Sequence, residues 1–318
     1  MRIRGGRGSM RCWWSSRVVL VVAAFGVLAV QAGAQEKLPE VLYAQIDLKG
    51  AYPEGPRAAG LFSELSESLD DVIGKFDRAA KDGKIAGVIL RIDSPAIRWA
   101  KMRALRSAIA RVQASGKRVH AYLDEADNMD LLLASACDEI WMPEAGVLTT
   151  LGMRAEVTFY KKALDMLGVK AEMLRVGEYK SAGEPYSRTE MSPEFRKEME
   201  EILDDYFQQL VTTIADARKV PADQVRDSID NAPLTARQAQ ERKLIDRVGY
   251  LDELEAGIAT SHEGKTFKVQ RKYGKKKLET DLNSFAGMMK FMEMVMGVEP
   301  PKRKSTNAKL AIIHANGM

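Results

Sequence analysis

The stretch RVGEYKSAGEPYSR, from Arg175 to Arg188, holds the residue with the most chemical promise, Lys180. A lysine can deprotonate a hydroxyl only as a neutral amine, which requires its pKa to fall from ~10.4 to roughly 7 to 8. Burial against apolar groups does this, because desolvation penalises the ammonium form. Lys180 follows the apolar run VKAEMLRVG, which reads as a buried strand. It precedes Ser181, Ala182 and Gly183, small residues that permit close approach by a substrate or another domain. The competing reading is an ordinary solvated lysine, the usual setting for this residue type.

Other chemistries have less material. The three histidines, His120, His262 and His314, scatter over a predicted strand, a linker and a terminal strand, so a Ser-His-Asp triad is poorly supplied. His120 reads as a satisfied strand residue. No histidine or cysteine cluster has metal-ligand spacing and no glycine-rich phosphate loop follows a strand, so neither a metal nor a cofactor is called for. The acidic residues Glu198, Glu200, Glu201, Asp204 and Asp205 fall on the solvated side of a long helix. Ser94 ends a strand, but Pro95 after it has no amide hydrogen to offer an oxyanion, so a turn role is preferred. Ser181 would project away from its neighbour Lys180 on extended chain, and reads as a structural small residue.

The elements that must position Lys180 follow from apolar periodicity. VLYAQIDLKG (Val41 to Gly50) and GVILRIDSP (Gly87 to Pro95) read as buried strands, and KRVHAYL and DEIWM as two shorter ones. Between them, Leu61, Leu65, Leu69, Val72, Ile73 and Phe76 share a helical face, and a helix from about Ile97 to Ser115 stops at Gly116. VTFYKKALDML reads as a further helix leading into VKAEMLRVG. A long helix starts after Ser192 with Pro193 at its first position, anchored by Phe195, Ile202, Tyr206, Leu210 and Ile214. LTARQAQERKLIDRVGYLDEL gives a capped short helix, a strand-like LID and a closing helix, so the domain is expected to end near Thr260. This alternation predicts an α/β domain with a largely parallel sheet.

The ends differ in character. The net charge of +4 rests on Arg2, Arg4, Arg7, Arg11 and Arg17, without which the rest of the chain stands at −1. No basic face for nucleic acid is therefore expected. These arginines lead into an uncharged run, Val18 to Gln35, ending in Ala32-Gly33-Ala34, so residues 1–34 read as a secretory signal or membrane anchor. The body would then lie outside the cytoplasm. Cys137 would be the one cysteine left after cleavage, so no intrachain disulfide is available. Residues 35–262 form the α/β repeat, and 263–308 a basic segment, a methionine-rich helix and a linker. Residues 309–318, KLAIIHANGM, echo the first strand, as if a second copy of the domain began and stopped.

Taken together, GVILRIDSP, LRVGEYKSAGEPYSRTEMSPEFR and LTARQAQERKLIDRVG resemble the first repeat of the two-repeat signal peptide peptidase A (protease IV) family, over roughly Val41 to Ala259. The resemblance implies a spiral of ββα units as in crotonase and the caseinolytic protease subunit. It also implies a membrane-associated serine peptidase with a Ser-Lys dyad that cleaves apolar signal-peptide remnants. In two-repeat members the lysine comes from the first repeat and the serine from the second, which makes Lys180 the general base. The chain departs from a catalytic repeat at DSPAIRWA and YLDEADNMDLLLASACDE, where glycine-rich oxyanion segments are expected and absent. Alone it should be inactive, with the missing second repeat, a peptide substrate, further copies of itself and the membrane as partners. The alternative is a non-catalytic scaffold or membrane-associated assembly domain of the same fold. A crotonase-like acyl-CoA enzyme conflicts with export.

Overall fold

The computed structural model describes residues 38–53, 67–274 and 288–289. The chain divides into two units, Met1–Pro39 and Glu40–Met318, and every described element belongs to the second. The leader, Leu61 and Leu65, the methionine-rich segment apart from Met288 and Met289, and the terminal strand lie outside the described residues.

Strands β1 (Glu40–Ala51) and β2 (Ile85–Ala96) pair in parallel, with Ile46 opposite Leu90. They are joined by helix α1 (Leu69–Lys81), whose start is capped by the Ser68 hydroxyl accepting from Asp71 N at 3.2 Å. Helix α2 (Trp99–Ala114) returns the chain to β3 (Arg118–Leu123), parallel to β2. Gly116, between them, sits at φ +82°, as its predicted stop role requires. β5 (Glu139–Met142) and β8 (Arg247–Val248) continue the sheet on one side and β9 (Thr266–Gln270) on the other, in the order β8-β5-β3-β2-β1-β9. Every pairing in this sheet is parallel.

A smaller sheet stands beside it, made of β4 (Ala126–Asp127), β6 (Val147–Thr149) and β7 (Leu234–Thr235). Twice the chain places one strand in the large sheet and the next in the small one: β3 then β4, and β5 then β6. Helix α3 (Asn128–Ala134) follows the first of these pairs. This alternation is the ββα unit that the family resemblance implies, and the α/β class with a parallel sheet, read from the apolar periodicity, holds.

Both faces of the large sheet are covered, which is why its strands are near-continuous apolar runs. Leu90 and Ile92 pack with Phe76, Leu105 and Ile109 on one face. Ile89 and Tyr122 point the other way, onto Leu254 and Ile258 of α9 (Leu251–Thr260). Gly87 is required by that second layer. A Cβ there would lie 2.7 Å from Tyr43 Cζ and 3.0 Å from the Arg118 carbonyl oxygen.

Three sequence expectations change. The sheet takes in residues 266–270, past the boundary expected at 262: Phe267 and Val269 alternate inward against β1, while the dense basic charge around them masks that pattern. The strand-like LID is displaced, because Leu244 and Ile245 are buried but the paired residues are Arg247 and Val248. The run VKAEMLRVG forms no strand. It has no pairing partner among the described residues, and its apolar side chains stand in solvent, Leu174 and Val176 at 106% and 92% exposure.

Candidate active site

The segment between β6 and the long helix α6 (Pro193–Arg218) carries the candidate base. It contains only two short helices, α4 (Lys161–Met166) and α5 (Glu184–Ser187), the latter preceded by a single 3-10 turn over Ser181–Gly183. Gly177 at φ +100° turns the chain, and Lys180 N donates to the Gly177 carbonyl at 3.4 Å. Gly183 admits the Met173 side chain, which would lie 2.8 Å from any Cβ placed there. Close approach at these small residues was expected of a substrate or second domain; here the chain's own Met173 uses it.

Lys180 lines a groove of about 710 Å³, together with Leu174, Arg175, Val176, Tyr186 and Arg188. The lining is more apolar than polar and brings Glu184 together with the basic Arg175, Lys180 and Arg188. Tyr186 is held by stacking on Tyr160, with ring centroids 5.6 Å apart. Lys180 itself is exposed, and among the described residues its amine has no hydrogen bond or ion pair. The dry pocket expected around it is therefore not built by these residues. The reason is the unpaired run just before it: an apolar stretch that completes no sheet cannot exclude water from its neighbour.

The long helix follows its predicted design at both ends and departs in the middle. Ser192 Oγ accepts from Phe195 N at 3.1 Å, and Lys219 closes the other end in the left-handed region at φ +54°. Leu210, Val211, Ile214 and Ala215 are buried. Ile202 and Tyr206, expected as anchors, are exposed, although Tyr206 stacks on Trp99 at 5.8 Å. Glu198 is not purely a surface acid, since it accepts from Ser181 Oγ at 3.3 Å.

At the strand ends where a catalytic repeat would hold its oxyanion donors, other groups take the positions. Ser94 adopts φ +43° at an irregular end of β2, beside Asp93, whose carboxylate accepts from Lys49 Nζ at 2.7 Å. The first amides of α3 are already engaged: Asp127 Oδ1 accepts from Met129 N at 2.7 Å and from Asp130 N at 3.0 Å. Capping of this kind leaves those N–H groups unavailable to a developing oxyanion.

Asp130 is buried, and burial pushes its carboxyl up to about 6, aided by the nearby Asp127 charge and opposed by the hydrogen bond from Asp127 N. Its folded-state pKa thus exceeds the ordinary value of 3.8. Between these values the folded chain holds more protons than the unfolded one, so stability falls as pH rises through this window. We expect Asp130→Asn to flatten the pH dependence of urea unfolding between about pH 4 and 6. An unaltered slope would show that the burial cost is absent.

The two described histidines pack and hydrogen-bond within the fold. His120 Nδ1 lies 3.0 Å from Glu139 Oε2, and burial holds the imidazole below its usual pKa, with Glu139 opposing. His262, read as a linker residue, reaches back to Tyr43 OH at 3.3 Å; His314 lies outside the described residues. Cys137 is buried, and desolvation drives its thiol far up, away from nucleophilic use. One residue of the site escaped the sequence reading: Glu184, whose carboxylate is buried under the groove. Arg188 stands at the ordinary i,i+4 spacing, but the hydrogen-bonding partners Arg175 and Ser192 lie nine and eight residues away on either side, where no spacing rule marks them.

Residues 111–264 match peptidase family S49. This region belongs to that family. It contains the Lys180 segment, so the resemblance read from RVGEYKSAGEPYSRTEMS is upheld for the S49 region. The chain is 28% identical to the chloroplastic serine protease SPPA of Arabidopsis thaliana over 59% of its own length and 28% of that protein. It is 32% identical to Protease 4 of Haemophilus influenzae over 50% of its length and 26% of that protein. The matches thus span just over a quarter of the length of these curated relatives. A solved 1510-N membrane-bound stomatin-specific protease aligns over 80% of this chain and 99% of its own, at 15% identity and a TM-score of 0.42. That score adds nothing to the topology described above.

Proposed function

We propose that this chain is the lysine-bearing half of an exported serine peptidase that cleaves apolar peptides such as signal-peptide remnants. Lys180 is the general base, and the nucleophilic serine comes from a second repeat. The observation that carries this reading is the position of Lys180: an amine without a partner among the described residues, on the wall of an apolar groove, inside the S49 region. Covering the groove with a second repeat would exclude water, and desolvation is what converts a lysine amine into a base. The amine then takes the proton from the serine Oγ as that oxygen attacks the scissile carbonyl. The proton passes to the leaving amine, and water releases the acyl group by the reverse sequence.

Export is proposed from the arginines and the uncharged run of Val18 to Gln35, which lie outside the described residues. Among the described residues, no helix is long and apolar enough to cross a membrane. Membrane association and further copies of the chain belong to the same proposal.

The test compares this chain with a gene product extended through a second repeat, using an apolar fluorogenic peptide and a fluorophosphonate that marks reactive serines. The extended product should cleave the peptide and carry the label on a serine beyond residue 318, whereas this chain should do neither. Labelling of Ser94 or Ser181 would overturn the division of the site.

A further inference from the structure

We infer that Glu184 is a positioning residue, a buried carboxylate that sets where Lys180 stands in the groove. The inference rests on the reading of Lys180 as the base, and its structural half can be measured without that reading. Glu184 is 2% exposed, so its charge needs compensation from several sides. It receives that from both flanks of the loop. Oε1 accepts from Arg175 at 3.0 Å and from Ser192 Oγ at 2.7 Å. Oε2 accepts from Ser192 N at 2.9 Å and lies 4.0 Å from the Arg188 guanidinium. Burial alone would raise this carboxyl, but the Ser192 and Arg175 hydrogen bonds and the Arg188 charge outweigh it and hold the group ionised.

The consequence is topological. Arg175 precedes Lys180 by five residues, and Ser192 is the cap of the 26-residue helix α6. One carboxylate therefore closes a loop over residues 175–192 and ties both ends to a rigid element. The Ser181–Glu198 hydrogen bond adds a second tie to the same helix, next to Lys180. Between these ties the backbone of Lys180 has little freedom, even though no strand holds it. Charge-assisted bonds to a buried acceptor are strong enough for this task.

Glu184→Gln keeps the shape and removes the charge. In this chain, tryptic cleavage after Lys180, followed bond by bond by mass spectrometry, should accelerate by about ten-fold. Cleavage after Lys170, on the same exposed stretch but outside the loop, should not change. Arg175→Gln, which spares the helix cap, should give a smaller acceleration in the same place. Equal rates after Lys180 in wild type and both variants would overturn the inference. In the extended peptidase, Glu184→Gln should lower kcat by about 10²-fold with KM little changed, as expected for a displaced base. Glu184→Asp should restore part of the loss. If Lys180→Ala is inactive and Glu184→Gln keeps the wild-type kcat, the positioning role is wrong. If Lys180→Ala is fully active, the assignment of the base is wrong, and the proteolysis result still decides whether Glu184 fixes the loop.

Discussion

Replacing Lys180 by alanine in the extended peptidase should lower kcat/KM by about 10² to 10⁴-fold, the usual range for loss of a general base. Unfolding stability should change by less than about 0.5 kcal/mol, because an exposed side chain with no partner among the described residues contributes little to the fold. That combination separates a catalytic lysine from a structural one. Retained turnover, or lost turnover accompanied by lost stability, would each count against the assignment. Arginine at this position should be as inactive as alanine, since a guanidinium does not give up its proton at neutral pH.

The second large effect concerns association. Met166, Leu167, Leu174 and Val176 stand 88%, 77%, 106% and 92% exposed along one stretch, with Ile202 and Tyr206 exposed on the adjoining helix. An apolar surface of this kind is normally covered. We expect this chain to associate with further copies of itself, giving a particle larger than a monomer by light scattering in mild detergent. Leu174→Asp with Val176→Asp should shift it to monomer. Burial of a leucine or valine contributes about 1.5 to 3 kcal/mol, so losing two weakens association by at least about 10²-fold. A monomeric wild type would contradict the expectation, and so would a double variant that associates unchanged.

These two effects also mark where the sequence could be read and where it could not. β1, β2, β3 and β5 were legible because both faces of each are covered within the chain, so apolar runs and burial coincide. Ser192, Pro193 and Gly116 were legible because caps are local. VKAEMLRVG has the same apolar signature as those strands, yet Leu174 and Val176 are exposed. Apolar composition reports that a surface is to be buried and says nothing of whether the partner lies in the same chain. Ile202 and Tyr206 on α6 were misread as anchors for the same reason. β9 was missed because lysine and arginine in FKVQRK hide a two-residue alternation. Within the candidate site, Lys180 was singled out through its neighbours in sequence. Glu184 was not, since a buried carboxylate is recognisable only once Arg175, Arg188 and Ser192 have been folded around it.

The central claim is that the Lys180 amine activates a serine delivered by a second repeat. It is tested most directly by the rate at which a fluorophosphonate labels the extended peptidase with and without that amine. The account predicts one labelled serine beyond residue 318 in the wild type, and labelling slowed by about 10²-fold or more in Lys180→Ala. Equal labelling rates in the two proteins would contradict it.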